Sequence, residues 1–560
     1  MKSLRNQVLQ DRFTKSANFY ESDLILQHFL QNYLSKKALQ YLQPSLTRLG
    51  KQAASEMDTL SLEADKNTPQ LIKRNFYGED IDQVKFHPSY WQLMQIAATS
   101  EMFRVKWLPE NKTQFQKERH LAGFAPYFLY TMAEGGIPCP LCMTDGVARL
   151  IDRYCTEADK ARLLPHIYAT NLEDFFTGAM FLTEKAGGSD VGANLVTATH
   201  KENDYYLLNG EKWFCSNVNA DIIFVLARTN PAIQGTKGLS IFLVEKTKPD
   251  GTKNPLSVVR LKDKLGVRSM ASAECMLQDT WGKLVGKEGE GFKIMTDMIN
   301  LSRVYNAMTA VAFMRRALVE VYQFLSYRIT FGTEALDHGL IRQQLAKLHS
   351  LYLANFYLTW HTVKILDQAD NGDPKALALS RFLTPMIKKC TAETGVYVIR
   401  ESMELMGGMG YIEDGMMPKL MRDMMVLPIW EGAGNIMVLD MLRASSKSEG
   451  LQYLLQDVVS IFNESEPLKP LIAKVETLQK HLGAIHNEPW EVLSCTAKDT
   501  FAYLTQLVQI AFLQQYKDEQ SNDWLQPAQM LLIQDLDRDS LAIQKPLEKV
   551  TVQQMLGWIF

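Results

Sequence analysis

The spacing of apolar positions changes along the chain, and each change marks a change of architecture. Residues 1–174 carry helix-length apolar stretches separated by polar breaks. Over about 175–284 the runs shorten to strand length and become rich in β-branched and aromatic residues: Tyr205-Tyr206-Leu207-Leu208, Ile222-Ile223-Phe224-Val225-Leu226 and Leu239-Ser240-Ile241-Phe242-Leu243-Val244. Asn209-Gly210 and Asp250-Gly251 punctuate them as turns, so this stretch predicts an antiparallel sheet or small barrel. After Gly289-Glu290-Gly291 the helical period returns. Leu345, Leu348, Tyr352, Phe356, Thr359 and Val363 fall three and four apart and make one mostly apolar face, a core stripe rather than a functional surface. Long helices with few Pro or Gly predict an antiparallel bundle over 285–444, and 445–560 reads as a further, mostly helical piece. The fold class is therefore α+β in four segments, 1–174, 175–284, 285–444 and 445–560, without short-period repeats or low-complexity stretches.

Composition narrows the setting. At 560 residues the chain exceeds one hydrophobic core. Hydrophobic residues at 46% and charged residues at 22% are ordinary for a globular protein, and a net charge of −3 gives no global basic field toward nucleic acid or anionic membrane. The first residues lack a signal-peptide core, and the terminal Gly557-Trp558-Ile559-Phe560 matches no peroxisomal or lipidation signal. No uncharged apolar run approaches the roughly 18 residues of a membrane span. The expected location is the cytoplasm. Seven scattered cysteines fit a reducing compartment. Cys139-Pro140-Leu141-Cys142 has CxxC spacing but no second pair, so it reads as structural thiols, and no metal is expected. From Ser446 onward nine Lys/Arg face fifteen Asp/Glu, with Asp535, Asp537 and Asp539 around Arg538. That balance disfavours DNA as a partner of the segment as a whole and leaves a local basic face open.

Five strings carry candidate chemistry. Leu182-Thr183-Glu184-Lys185-Ala186-Gly187-Gly188-Ser189-Asp190-Val191 offers a hydroxyl and then small residues that let backbone N–H groups approach an anion; alone it is also an ordinary Gly/Ser loop. Asn209-Gly210 leads a strand on which Phe214 and Ser216 share a face, an aromatic and a hydroxyl that are otherwise common core residues. Arg328-Ile329-Thr330-Phe331-Gly332 joins a phosphate-pairing guanidinium to a hydroxyl and an aromatic; the bland alternative is a charged helix end with a glycine cap. Met406-Gly407-Gly408-Met409-Gly410-Tyr411 permits close backbone approach, and Glu431 follows in Trp430-Glu431-Gly432-Ala433-Gly434-Asn435-Ile436.

The order and separation of these strings resemble the acyl-CoA dehydrogenase family of flavoproteins. Further matching strings are Lys264-Leu265-Gly266 with Arg268-Ser269, Gly286 with Gly289-Glu290-Gly291-Phe292, and Arg422-Asp423, and the likeness covers about residues 120–445. Val84-Lys85-Phe86-His87-Pro88, Leu261 to Gly266, Ile429 to Met437 and the extra C-terminal piece look like the AidB-type, alkylation-response branch. The resemblance implies an N-terminal helical domain, a central β-barrel, a four-helix bundle and FAD, in a homotetramer (a dimer of dimers) that shares the cofactor across subunits. Leu182, Thr183 and Ser189 would meet the flavin and pyrophosphate, Phe214 would pack on the isoalloxazine, and Ser216 would lie near N5. Arg328 would reach the diphosphate of a neighbouring subunit's FAD, with Phe331 and Gln344 near its adenosine end; Gly407, Gly408 and Asn435 complete the surroundings.

The family places its base either after the aromatic, where this chain has Glu431, or just before the bundle arginine, where Ser302 precedes Arg303. Glu431 is thus the candidate catalytic residue. It would take the α-proton of an acyl-CoA thioester as hydride leaves the β-carbon for flavin N5. The thioester carbonyl would be polarised by the Glu431 N–H and the ribityl chain, and a water-poor site would raise the carboxylate's pKa. Trp430 stands where straight-chain enzymes carry Tyr, Ala433 replaces a common Thr, and Glu404 a common Gln. Three classes follow: a dehydrogenase, a DNA-associated protective flavoprotein with vestigial dehydrogenase activity, and a flavin-stabilised scaffold. The residues name neither the acyl chain nor the electron acceptor.

Overall fold

The structure is a computed structural model that describes residues 18–485, 488–537 and 547–558. Arg538 and Asp539 of the acidic cluster lie outside the described residues. The chain divides into two compact units, one of residues 56–114 and 134–305 and the other of 1–55, 115–133 and 306–560.

The first unit carries the seven-stranded sheet and a two-stranded one. β1 (Gln70–Arg74) and β2 (Asp80–Lys85) form an antiparallel hairpin. Seven further strands follow: β3 (Gly178–Phe181), β4 (Thr197–Glu202), β5 (Tyr205–Ser216), β6 (Ile222–Arg228), β7 (Leu239–Glu245), β8 (Leu256–Leu261) and β9 (Ser272–Val285). Their order is β3-β6-β4-β5-β9-β7, with β8 on β9 and β6 also paired to β7. Five strands thus run in a circuit, but β4 meets β6 through one residue pair, Thr197 and Arg228, so the barrel is loosely closed. The sheet is not purely antiparallel, because β3 runs parallel to β6. All of β6 and all but the last residue of β7 are buried, as their continuous apolar runs require.

Asn209-Gly210 is not a turn. Both residues lie inside β5, and the hairpin from β4 reverses at Asn203, whose φ is 49°. Gly210 has φ +134° at a register shift against β9, and a Cβ there would sit 2.9 Å from Val196 Cγ2. Glycine is needed for a bulge and a close approach, not for chain reversal. Asp250-Gly251 does turn, with Gly251 N–H donating to Lys248 O at 2.9 Å.

The second unit is helical. Helices Gly339–Asp370 and Pro374–Met406 are joined by a short turn that Asp373 caps, with Pro374 opening the second helix. Leu345, Leu348, Tyr352, Phe356, Thr359 and Val363 are all buried. Trp490–Gln515 packs on Gly339–Asp370 and on Gly434–Lys447. Arg315 is fully buried against Asp23 at 2.8 Å and donates to the carbonyls of Leu556 at 2.5 Å and Gly557 at 3.1 Å. Asp535 pairs with Lys347 and Asp537 with Lys474. Among the described residues no helix is long and apolar enough to cross a membrane.

Candidate active site

In the sheet-bearing unit the Leu182–Asp190 loop leaves β3 and is tied to β5 by Trp213 N–H donating to Thr183 O at 2.9 Å. The loop is fixed from beneath by Glu184, which is buried and accepts from Lys212 Nζ at 2.7 Å, Leu195 N–H at 2.5 Å and Val196 N–H at 3.2 Å. Burial holds the Lys212 ammonium below its usual pKa, and the Glu184 carboxylate partly offsets that. With its carboxylate turned inward, the loop presents Gly188 and Ser189 to solvent. Their N–H groups make no hydrogen bond among the described residues, which suits an anion. Leu182 and Thr183 are half-buried.

The alternation of β5 breaks between Lys212 and Cys215, where the register against β9 shifts. Lys212 and Cys215 both point inward, and the extra residue turns Phe214 outward, leaving it 54% exposed. Lys262 Nζ lies 4.4 Å from the Phe214 ring centroid and 3.7 Å from that of Trp213. Lys262 is also held by Glu274 at 2.8 Å. Arg260 and Lys262 together lower the Glu274 pKa to about 2. Ser216 Oγ meets Ser272 Oγ at 3.0 Å. An exposed ring, a nearby hydroxyl and unpaired loop amides therefore stand on one stretch of sheet and loop, and this donor set fits a flavin with its phosphates. Cys139 and Cys142 lie in the Pro138–Tyr154 helix and form no disulfide, and no metal-ligand cluster occurs among the described residues. Ser302, at the alternative base position, is buried with its hydroxyl on Met298 O at 3.0 Å.

In the helical unit Glu431 sits on a turn with φ +57°, followed by Gly432 at φ +98°. A left-handed non-glycine residue costs roughly 1–2 kcal/mol and persists only where its surroundings enforce it. Two contacts enforce it. Lys388 Nζ, from the Pro374–Met406 helix, donates to Gly432 O and to Pro428 O at 3.3 Å. Trp430 Nε1–H donates to Asn306 Oδ1 at 2.5 Å. The chain then enters the Gly434–Lys447 helix, with Ala433 at the N-cap in extended geometry and no side-chain cap. Asn435 is exposed in the first turn of that helix, where backbone N–H groups lack intrahelical partners.

Arg328 closes a helix, its N–H donating to Phe324 O at 3.1 Å, but Gly332 is not that helix's cap. The preceding helix stops at Tyr327, and β10 (Ile329–Thr330) pairs with β11 (Thr333–Glu334) around a tip of Phe331 at φ +50° and Gly332 at φ +87°. Two successive positive φ values are what a tight hairpin demands. Phe331 is 97% exposed, and Arg328 is exposed. Gln344 is engaged by the buried Glu401 carboxylate. Gly407 ends its helix with φ +60°, and a Cβ on Gly408 would meet nothing within 4 Å. Sequence reasoning missed Lys388 and Asn306; a lysine among Leu383, Met386 and Ile387 on a core-facing helix was the available signal for the first.

Residues 179–280 match the acyl-CoA dehydrogenase middle domain, 289–446 the acyl-CoA dehydrogenase C-terminal domain, and 9–173 the adaptive response protein AidB N-terminal domain. The chain is 33% identical to AidB of Escherichia coli (strain K12) over 74% of its own length and 76% of that protein. It is 29% identical to acyl-CoA dehydrogenase family member 11 of Caenorhabditis elegans, over 83% of this chain and 77% of that one. The crystal structure of Caenorhabditis elegans ACDH-11 in complex with C11-CoA superposes with a TM-score of 0.85 at 25% identity, covering 94% of this chain and 92% of that one. With its matched domains in family order and AidB similar over most of both chains, the protein belongs to the acyl-CoA dehydrogenase family and carries the AidB-type N-terminal domain.

Proposed function

We propose that this protein is an FAD-dependent acyl-CoA dehydrogenase that forms the α,β double bond of an acyl thioester, with Glu431 as base. The observation that carries the reading is the left-handed turn at Glu431, held from two directions by Lys388 and by the Trp430 indole. Leu182, Thr183, Ser189, Phe214 and Ser216 would hold the flavin end of FAD. Gly407, Gly408 and Asn435 would meet the cofactor from backbone and helix terminus. When bound, FAD supplies the acceptor for the β-hydride. The chain's own part is to remove the α-proton onto the Glu431 carboxylate, to donate the Glu431 N–H to the thioester carbonyl, and to align the two carbons. Family members are FAD flavoproteins, and the C11-CoA complex of the Caenorhabditis elegans relative supports a thioester as ligand.

The exposed hairpin bearing Arg328 and Phe331 supports FAD shared between subunits of a homotetramer, because an aromatic 97% exposed at a hairpin tip suits a partner's surface. On this reading 445–560 is an additional helical domain beyond the three of the family, and the other boundaries fall at 174/175 and 284/285. Light scattering of the FAD-loaded protein and of Phe331→Ala tests the assembly.

The decisive experiment is anaerobic bleaching of the bound flavin by a panel of acyl-CoAs. The unmodified protein is expected to bleach with at least one thioester, and Glu431→Gln to keep FAD without bleaching. No bleaching of the unmodified protein by any member refutes the dehydrogenase reading for that panel. The similarity to AidB supports a second reading, a DNA-associated alkylation-response flavoprotein with vestigial dehydrogenase activity. The acidic C-terminal segment opposes it. A salt-dependent DNA mobility shift near physiological ionic strength would favour it.

A further inference from the structure

The turn that carries Glu431 is wrapped around a buried cation. Lys388 is fully buried, and its ammonium donates to the backbone carbonyls of Pro428 and Gly432, which lie on either side of the residue. Between them, Ile429 N–H and Trp430 N–H both donate to Val426 O, at 2.9 Å and 3.1 Å, so the chain completes one helical turn before Glu431 reverses it. The Glu431 and Gly432 φ values of +57° and +98° are the reversal itself. The ammonium reaches from the middle of the Pro374–Met406 helix, so the turn is referenced to a rigid element. The indole of Trp430, bound to Asn306, fixes the same turn from a second direction.

We infer that Lys388 is the positioning residue of the base. By clamping the carbonyls before and after Glu431, it holds the carboxylate on one heading and keeps the turn from relaxing out of the left-handed region. A lysine suits this task because its compact cation can bridge two carbonyls that no backbone amide reaches, whereas an apolar residue would pack under the turn without fixing it. This inference rests on the dehydrogenase reading for its catalytic consequence, but the clamp itself can be tested without catalysis.

The test compares Lys388→Met and Lys388→Gln with the unmodified FAD-loaded protein, using an acyl-CoA that bleaches the flavin. Displacing a catalytic group by about 1 Å costs on the order of 100-fold in rate. Lys388→Met is therefore expected to lower the limiting reduction rate by about 10–100-fold. Its substrate affinity should stay within about threefold and its FAD content should be unchanged, because the clamp acts on heading and not on binding. Lys388→Gln, which keeps two donors, should recover part of the rate. Amide hydrogen exchange over residues 426–435 should quicken in Lys388→Met.

A limiting rate equal to that of the unmodified protein overturns the inference. So does a rate loss that tracks lost FAD or lost substrate affinity, as a merely structural role would give. Should Lys388→Met fail to fold, Lys388→Gln decides: a reduced limiting rate with FAD retained supports the clamp, and an unchanged rate refutes it. If no acyl-CoA bleaches the unmodified protein, the dehydrogenase reading fails. Exchange over 426–435 then judges the clamp separately, and unchanged exchange in both variants refutes it.

Discussion

His349 makes the helical unit sensitive to mild acid. It lies on the Gly339–Asp370 helix with no exposed surface, and neither ring nitrogen has a hydrogen-bond partner among the described residues. Burial, and then the charge of Arg315, lower its pKa from 6.5 to about 3. The sign follows directly. Above pH 6.5 the ring is neutral in both folded and unfolded chains and has no effect on pH dependence. Between 6.5 and 3 the unfolded chain takes up a proton that the folded chain refuses, so stability falls as pH falls. At 1.36 kcal/mol per pH unit, the loss at pH 5 relative to pH 8 is about 2 kcal/mol from this residue alone. His349→Leu removes the titration and an unpaired polar ring together. The variant should be near the unmodified protein in stability at pH 8 and should exceed it by about 2 kcal/mol more at pH 5. Urea denaturation followed by the helical signal at the two pH values measures the difference. An equal gap at pH 8 and pH 5 would refute the reasoning, for it would mean that the ring is solvated or paired in the folded protein.

Three further substitutions probe the site's supports. Ala433→Ser places a hydroxyl at an N-cap that already has φ −60° and ψ 160°. It should stabilise the Gly434–Lys447 helix by about 1 kcal/mol, read as a calorimetric rise of about 2 °C in protein with and without flavin. A rise seen only with flavin would assign the effect to a cofactor contact instead of the cap. For the buried pair under the Leu182–Asp190 loop, Glu184→Gln strands the Lys212 ammonium and should cost about 3–5 kcal/mol. Lys212→Met leaves the carboxylate with the Leu195 and Val196 amides and should cost less, so the opposite ranking in chemical denaturation would contradict this account.

What could be read from the sequence depended on whether the cause was local. The Leu345–Val363 stripe was legible because helical spacing and burial coincide on one element, and β6 and β7 because a strand covered on both faces must be apolar throughout. Asn209-Gly210 misled because the same dipeptide that favours a hairpin also serves a bulge, and only the approach of Val196 on the path into β4 decides which. The β1–β2 hairpin escaped notice because its strands are short and shallowly buried, so alternation leaves little contrast. Gly332 looked like a helix cap because the pairing of Ile329–Thr330 with Thr333–Glu334 is not written in either pair alone. Among candidate site residues, the side chains that would touch ligand stood out through their motif strings. The supports did not, since Lys388 acts on backbone carbonyls, which any residue supplies.

The helical unit draws on three separated stretches, 1–55, 115–133 and 306–560, and Arg315 joins Asp23 near one end of that span to the carbonyls of Leu556 and Gly557 near the other. During synthesis this has a cost in time. The sheet-bearing unit has all its residues once 305 has been made, whereas the helical unit lacks its closing carbonyls for roughly 250 residues more, some 10–50 s at about 5–20 residues per second. Throughout that interval the early helices on the ribosome must keep the apolar faces of Ile25, Leu26 and Phe29 without their final cover. A nascent chain arranged this way should depend, for its yield in cells, on translation speed late in the message more than on the order of its early helices.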